Sequence, residues 1–161
     1  MCLSGDKMLV HIIVMMILLS MLKNCGETPS VSESKYDIIP DGYISSETYN
    51  DPDGFRDYTD YHKYFYDSAK EFEDNKNFSK VTVEEIENIK SYCDNFRDWM
   101  QALDRLDEFD FDDSSITAGD YVKIVTDDAN DNVDELAKFD NYTLYFFDTQ
   151  SLTLYYFHNS T

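Results

Sequence analysis

Carboxylate side chains are the most abundant reactive groups of this chain, and their chemistry is cation binding or proton transfer. The chain has 33 Asp and Glu against 13 Lys and Arg, a formal net charge of −20. An EF-type calcium loop needs Gly at its sixth position and Glu at its twelfth. Loops that start at Asp110 or Asp128 have neither. The sequence therefore predicts solvated acidic loops, with a calcium site of another kind in residues 107–113 or 127–134 as the alternative.

Groups with nucleophilic or zinc-binding chemistry are few. His62 and His158 are the histidines beyond the N-terminal segment, whereas a zinc site needs three or four N, S or O ligands. The sequence contains no G-x-S-x-G motif and no Gly-rich phosphate loop. Cys93 falls on an apolar helical stripe, which favours a core thiol over a nucleophile. We therefore expect no catalytic residues, no metal site and no cofactor.

Aromatic residues near the C-terminus are the strongest candidates for binding. Tyr142 to Phe147 and Leu152 to Phe157 are rich in strand-forming residues, and a four-residue turn between them predicts a β-hairpin. Both faces of this hairpin are aromatic. An exposed platform would bind a partner protein or a glycan, and its residues would be Tyr145, Phe147, Tyr155 and Phe157. Alternatively, helices cover one face, and residues 36–49 or a neighbouring strand cover the other.

Three N-glycosylation sequons begin at Asn77, Asn141 and Asn159. Such motifs matter only in a eukaryotic secretory pathway. In a chain rich in asparagine, we interpret them as chance occurrences.

An apolar run from Met8 to Leu22 precedes the acidic part of the chain. It is shorter than the ~20 residues that span a bilayer and fits a signal-peptide core of about 7–15 residues. The sequence Leu22-Lys23-Asn24-Cys25-Gly26 follows, and then a polar stretch. Residues 1–35 thus resemble the export segment of bacterial lipoproteins, although Lys23 and Asn24 replace the small residues usual before the cysteine. The resemblance implies lipid attachment at Cys25. Cleavage with secretion and an uncleaved anchor are the alternatives.

The composition divides the chain into three parts. Residues 1–24 are predicted to be a signal or anchor segment, and residues 25–54 a tether and irregular lead-in that holds all three prolines. Residues 55–161 are predicted to form a single domain. The whole chain has 13 Tyr and 11 Phe. Disordered acidic chains have few aromatic residues, so this content argues for a packed core in the domain.

Two helices and several strands are predicted within that domain. Apolar residues three and four positions apart predict a first helix from 55 to about 74. A second helix begins after the capping-box pair Thr82 and Glu85. Its apolar stripe comprises Ile86, Ile89, Cys93, Phe96, Met100 and Leu103, flanked by Tyr92, Trp99 and Leu106. With a strand at 121–126 and the hairpin, this order predicts an α+β fold of two antiparallel helices packed on a small antiparallel sheet.

The charge narrows the classes of partner. A strongly acidic surface repels nucleic-acid phosphates and anionic lipid headgroups. We therefore expect a non-catalytic binding or accessory protein outside the cytoplasm, associated with the membrane through its N-terminus. Its partner would be a protein or a glycan at the cell envelope. The alternative is an acidic inhibitor or immunity-type protein that neutralises a basic partner.

Overall fold

The computed structural model describes residues 38–49, 58–126 and 139–160. The predicted export segment, Cys25 and most of the predicted tether lie outside these residues, as does the whole 127–134 loop. Within the described part, no helix is both long and apolar enough to cross a membrane.

The described residues combine helices with a six-stranded antiparallel sheet, in agreement with the predicted α+β class. The sheet order is β1-β2-β6-β5-β4-β3. The strands are β1 (Ser45–Tyr49), β2 (Tyr58–Phe65), β3 (Ser79–Lys80), β4 (Tyr121–Thr126), β5 (Asn141–Asp148) and β6 (Thr153–Ser160). The α-helices are α1 (Lys70–Glu73) and α2 (Ile86–Ala102), and short 3-10 helices occupy Val83–Glu85, Leu106–Glu108 and Asp113–Ser115.

The predicted first helix, from 55 to about 74, is wrong over most of its described length. Residues 58–65 form β2, which pairs with β1 on one side and β6 on the other, and only Lys70–Glu73 is α-helical. Tyr, Thr and Phe fit a pleated strand well, and β2 presents aromatic residues on both of its faces. Tyr61 and Tyr64 therefore lie on opposite faces although they are one helical step apart. The predicted pair of antiparallel helices is accordingly replaced by one long helix on a wider sheet.

The predicted second helix is confirmed as α2. Thr82 and Glu85 form a complete capping box ahead of it, which satisfies backbone groups that the first turn leaves unpaired. Ile89, Cys93 and Phe96 are at most 1% exposed and face the sheet. The helix ends at Ala102, and Asp104 then adopts a left-handed backbone conformation with φ of 58°. Residues after 102 consequently leave the helical stripe.

The predicted hairpin is also confirmed, since β5 and β6 pair from Asn141 with Ser160 to Asp148 with Thr153. Asp148 organises the turn, because its carboxylate accepts hydrogen bonds from the Gln150 N–H at 2.7 Å and the Ser151 hydroxyl at 2.8 Å. Even-numbered residues of β5 lie opposite odd-numbered residues of β6. This register decides which aromatic side chains share a face.

Apolar clusters cover both faces of the sheet. One cluster lies between the sheet and α2 and contains Phe96, Phe109 and Phe157. The other lies under α1 and contains Phe72, Phe147 and Ile38. Residues 38–49, which the sequence assigns to the tether and lead-in, contribute Ile38 to this second cluster and form the edge strand β1.

Candidate functional site

The predicted aromatic platform on the hairpin is wrong because its residues lie on two different faces and three of the four are buried. Tyr145 is 1% exposed and Phe147 and Phe157 are 0% exposed, while Tyr155 is half-buried. Tyr145 lies opposite Tyr156, and Phe157 lies opposite Leu144. The hairpin register thus separates Tyr145 and Phe147 from Tyr155 and Phe157.

Each face of the hairpin has its own cover. Phe72 of α1 stacks on Phe147 with ring centroids 3.7 Å apart, and Phe78 contacts Tyr145 edge-on. On the opposite face, Phe96 of α2 packs against Phe157. Both faces of the hairpin are therefore covered, as the alternative interpretation requires, but the second face is covered by α1 and Phe78 together with Ile38, and not by residues 36–49 or a strand alone.

Cys93 and the histidines also have structural surroundings. Cys93 is fully buried on α2, and burial raises the pKa of its thiol, which keeps it protonated. His62 Nδ1 lies 3.1 Å from the Thr48 hydroxyl, and His158 Nδ1 lies 2.8 Å from the Thr143 hydroxyl. Among residues 38–49, 58–126 and 139–160, no group of three His, Cys, Asp or Glu side chains converges to hold a metal ion.

Lys63 is a cation at the sheet surface that two carboxylates hold in place. It is 8% exposed, and its Nζ lies 2.7 Å from Asp110 Oδ2 and 2.6 Å from Glu47 Oε2. Tyr61 donates a hydrogen bond to Asp110 Oδ1 at 2.8 Å. Burial acts to lower the pKa of Lys63, but the two carboxylates outweigh it and the pKa is raised. Lys63 is therefore a permanent ammonium group and not a nucleophile or a base.

Asp110 should contribute to the loss of stability in acid. Burial acts to raise its pKa, but hydrogen bonds from Lys63 and Tyr61 outweigh burial, and its pKa lies below the usual aspartate value. A pKa that is lower in the folded state stabilises the protein above the unfolded-state pKa, and this stabilisation is lost as pH falls through the folded-state pKa. Because the Asp110 side chain is 60% exposed, we expect its contribution to the free energy of unfolding to be less than about 1 kcal/mol.

Urea denaturation at about pH 6 and about pH 2 measures this contribution. Asp110→Asn should lose less stability between the two pH values than the unaltered protein. Asp98→Asn, at an exposed position, serves as the matched control and should behave like the unaltered protein. An equal acid-induced loss in Asp110→Asn and the unaltered protein would contradict the assignment.

Asp120 is a fully buried carboxylate that joins two turns. Its Oδ2 accepts hydrogen bonds from the Thr117 N–H at 2.8 Å and the Thr117 hydroxyl at 2.9 Å. Its Oδ1 accepts from the Thr149 N–H at 3.0 Å and the Thr149 hydroxyl at 2.7 Å. The carboxylate fastens the turn before β4 to the hairpin turn, so its role is structural. Sequence reasoning missed it, although Thr117 and Gly119 before Asp120 are a turn signal.

An exposed apolar surface lies where α2 ends, and we call it the α2-end surface. Leu103 is 40% exposed and Leu106 is 42% exposed, while Trp99 is half-buried one helical turn before Leu103. A depression of about 290 Å³ adjoins it, and the described residues that line it are Asn95, Asp98, Trp99 and Ala102. The sequence assigned Trp99, Leu103 and Leu106 to the apolar side of the helix. Trp99 is half-buried within α2, and the early end of the helix with the turn at Asp104 leaves Leu103 and Leu106 exposed.

The rim of the α2-end surface is acidic. Asp98, Asp104 and Asp107 are exposed, and within the described residues none of them has a basic side chain within 4.0 Å. The nearby cations serve other carboxylates, since Arg97 pairs with Asp94 and Asp113, and Arg105 pairs with Glu108 at 2.6 Å. In the described part of the chain, the surface therefore combines exposed leucines with carboxylates that no basic side chain pairs with.

The three sequons have different surroundings in the fold. Asn159 is 0% exposed, and its side-chain amide donates a hydrogen bond to the Phe139 carbonyl at 3.0 Å. A glycan there is incompatible with this packing. Asn77 lies exposed in a turn, and Asn141 is half-buried at the start of β5.

Comparison with known proteins adds no relatives to this description. No family model matches the chain, and neither the curated proteins nor the solved structures give a match.

Proposed function

We propose that this chain is a non-catalytic binding protein that acts outside the cytoplasm and associates with a partner protein at the cell envelope. The observation that carries the proposal is the α2-end surface, where exposed Leu103 and Leu106 and half-buried Trp99 adjoin carboxylates that no described basic side chain pairs with. Exposed apolar residues grouped within a polar rim are typical of protein interaction sites.

The surroundings of the reactive groups support a binding role over catalysis. Cys93 is a core thiol, and Lys63 is held between Glu47 and Asp110. The buried carboxylate of Asp120 accepts four hydrogen bonds within the fold. A catalytic acid, base or nucleophile needs a group poised toward a substrate, whereas Cys93 is buried and the other two groups are bonded within the fold.

The N-terminal sequence supports the cellular location. The apolar run Met8 to Leu22 fits a signal-peptide core, and Cys25 follows it in a context that resembles a lipid-attachment box. We propose that Cys25 becomes the lipid-bearing N-terminus and that the polar residues after it form the tether. Mass spectrometry of the mature protein tests this proposal. A diacylglyceryl group on Cys25 is the expected result, and an intact Met1 or Met8 would overturn it.

A second candidate function is an acidic inhibitor or immunity-type protein that neutralises a basic partner. The net charge of −20 favours this candidate because it would accelerate association with a basic target. The two candidates differ in the contribution of apolar contacts. Purely electrostatic neutralisation weakens steeply with salt, whereas an interface with an apolar centre keeps part of its affinity.

Partner capture at two salt concentrations separates the candidates. The chain is immobilised and exposed to an envelope fraction at about 20 mM and about 0.5 M salt, where the Debye length falls to a few ångströms. We expect part of the captured partner protein to remain bound at the higher salt concentration. Complete release would favour the acidic inhibitor, and the absence of any captured protein at both concentrations would contradict both candidates.

A further inference from the structure

The α2-end surface differs from the other exposed apolar residues of the described chain. Val83 and Ile44 are each 69% exposed and lie in separate segments, and single exposed apolar residues are ordinary on protein surfaces. Tyr43, next to Ile44 and 46% exposed, packs its ring against Tyr64 and Tyr66. Leu103 and Leu106, in contrast, lie close in sequence at the end of one helix and near Trp99. Tryptophan is one of the residue types enriched among the residues that contribute most to binding at protein interfaces.

Charge decides what can occupy this surface. Asp98, Asp104 and Asp107 would face an incoming partner, and the whole chain has a net charge of −20. A second copy would bring the same carboxylates against themselves, and an anionic membrane would also be repelled. A partner with Lys or Arg beside an apolar stripe would neutralise the carboxylates of the rim. Its apolar side chains would at the same time cover Leu103 and Leu106.

The length and shape of the surface favour a helix as the bound element. Trp99 and Leu103 are one helical turn apart, and the depression beside them is lined by Asn95, Asp98, Trp99 and Ala102, which are spaced three and four apart on one face of α2. Amphipathic helices bind such elongated apolar surfaces through residues spaced three and four apart. We infer that the α2-end surface binds a basic amphipathic helix of the partner protein, an inference that rests on the proposed binding function.

The single tryptophan of the chain provides a direct measurement, because Trp99 lies within the surface and no other tryptophan contributes to the emission. The probe is a synthetic peptide of leucine and lysine, about five helical turns long, with all leucines on one face. It is titrated into the full chain while Trp99 fluorescence is recorded. We expect a saturable blue shift, because the peptide removes water from the indole. A peptide of the same composition with the leucines scattered should produce a weaker shift.

Leucine substitutions test the apolar centre. Leu103→Ser and Leu106→Ser should each weaken peptide binding by about tenfold, because each removes a side chain that becomes buried on binding. Val83→Ser is the matched control, since it removes an exposed apolar side chain near the opposite end of α2. Its affinity should equal that of the unaltered chain. Equal affinities for all three variants would overturn the assignment of this surface.

Charge substitutions test the acidic rim. The triple variant Asp98→Asn, Asp104→Asn and Asp107→Asn should bind the peptide more weakly at low salt and show a smaller salt dependence. The control is Asp67→Asn, Glu73→Gln and Glu84→Gln, which makes the same change in charge at exposed positions elsewhere. If the control variant bound the peptide as weakly as the rim variant, the attraction would be to the overall charge and not to the rim. That result would contradict the inference.

The outcomes also separate this inference from the proposed function. If the envelope partner binds but Leu103→Ser and Leu106→Ser leave its capture unchanged, the inference fails and the binding function stands. If no partner is captured while the peptide behaves as expected, the proposed function fails at the envelope. Sedimentation that shows a dimer lost in Leu103→Ser would identify a second copy as the occupant, which overturns the basic helix.

Discussion

Replacing Phe157 with alanine should lower the free energy of unfolding by about 3–5 kcal/mol. Phe157 is 0% exposed, and its ring centroid lies between 5.2 and 5.9 Å from those of four aromatic neighbours on β2, α2 and the segment after it. Removing the ring leaves a cavity that these neighbours cannot fill, because they come from separate elements. Urea denaturation followed by far-ultraviolet circular dichroism measures the change.

A matched pair of variants makes the result informative about the hairpin. Phe147→Ala should cost a similar amount, since Phe147 is equally buried on the opposite face against Phe72. Tyr43→Ala, at a position that is 46% exposed, should cost clearly less. If either Phe157→Ala or Phe147→Ala left stability unchanged, the face of the hairpin that carries that residue would be open to solvent. That result would favour the exposed aromatic platform after all.

Replacing Asp120 with alanine should lower the free energy of unfolding by about 3 kcal/mol or more. The change removes the acceptor for four hydrogen bonds and leaves the N–H groups of Thr117 and Thr149 without their partner. Each unsatisfied buried donor costs about 1–3 kcal/mol. The same denaturation experiment gives the change in free energy.

Asp120→Asn is the informative comparison because it preserves the size of the side chain. One amide oxygen still accepts hydrogen bonds, while the amide nitrogen faces the second N–H donor. We therefore expect a loss of stability smaller than that of Asp120→Ala. A loss in Asp120→Ala as small as that of an exposed carboxylate such as Asp74→Ala would contradict the structural role of Asp120.

Elements with strong local signals could be predicted from the sequence. The capping box at Thr82 and Glu85 fixed the start of the second helix, and the aromatic runs around residues 148–151 predicted the hairpin. The strand β2 could not be recognised in the same way. Its tyrosines fit a helical spacing, and burial on both faces removes the alternation of polar and apolar residues that marks a half-exposed strand.

The candidate site was harder to predict because it depends on where α2 ends. An apolar stripe in the sequence does not show which of its last residues still face the sheet. Leu103 and Leu106 leave the stripe because the chain turns at Asp104, which has a left-handed backbone conformation. Glycine is the usual residue in that conformation, so an aspartate at this position does not mark the turn in the sequence. The hairpin residues were misassigned for a related reason, since the register of the paired strands decides which face each aromatic side chain occupies.

Hydrogen exchange of the full chain, with and without the leucine–lysine peptide, shows where the peptide binds. We expect the peptide to slow amide exchange in the last turns of α2 and in residues 103–113, since these backbone groups flank Leu103 and Leu106. Exchange in the hairpin, residues 141–160, should remain unchanged because most of its aromatic side chains are already buried. Slowed exchange confined to the hairpin, or no change along α2, would rule out binding at the α2-end surface.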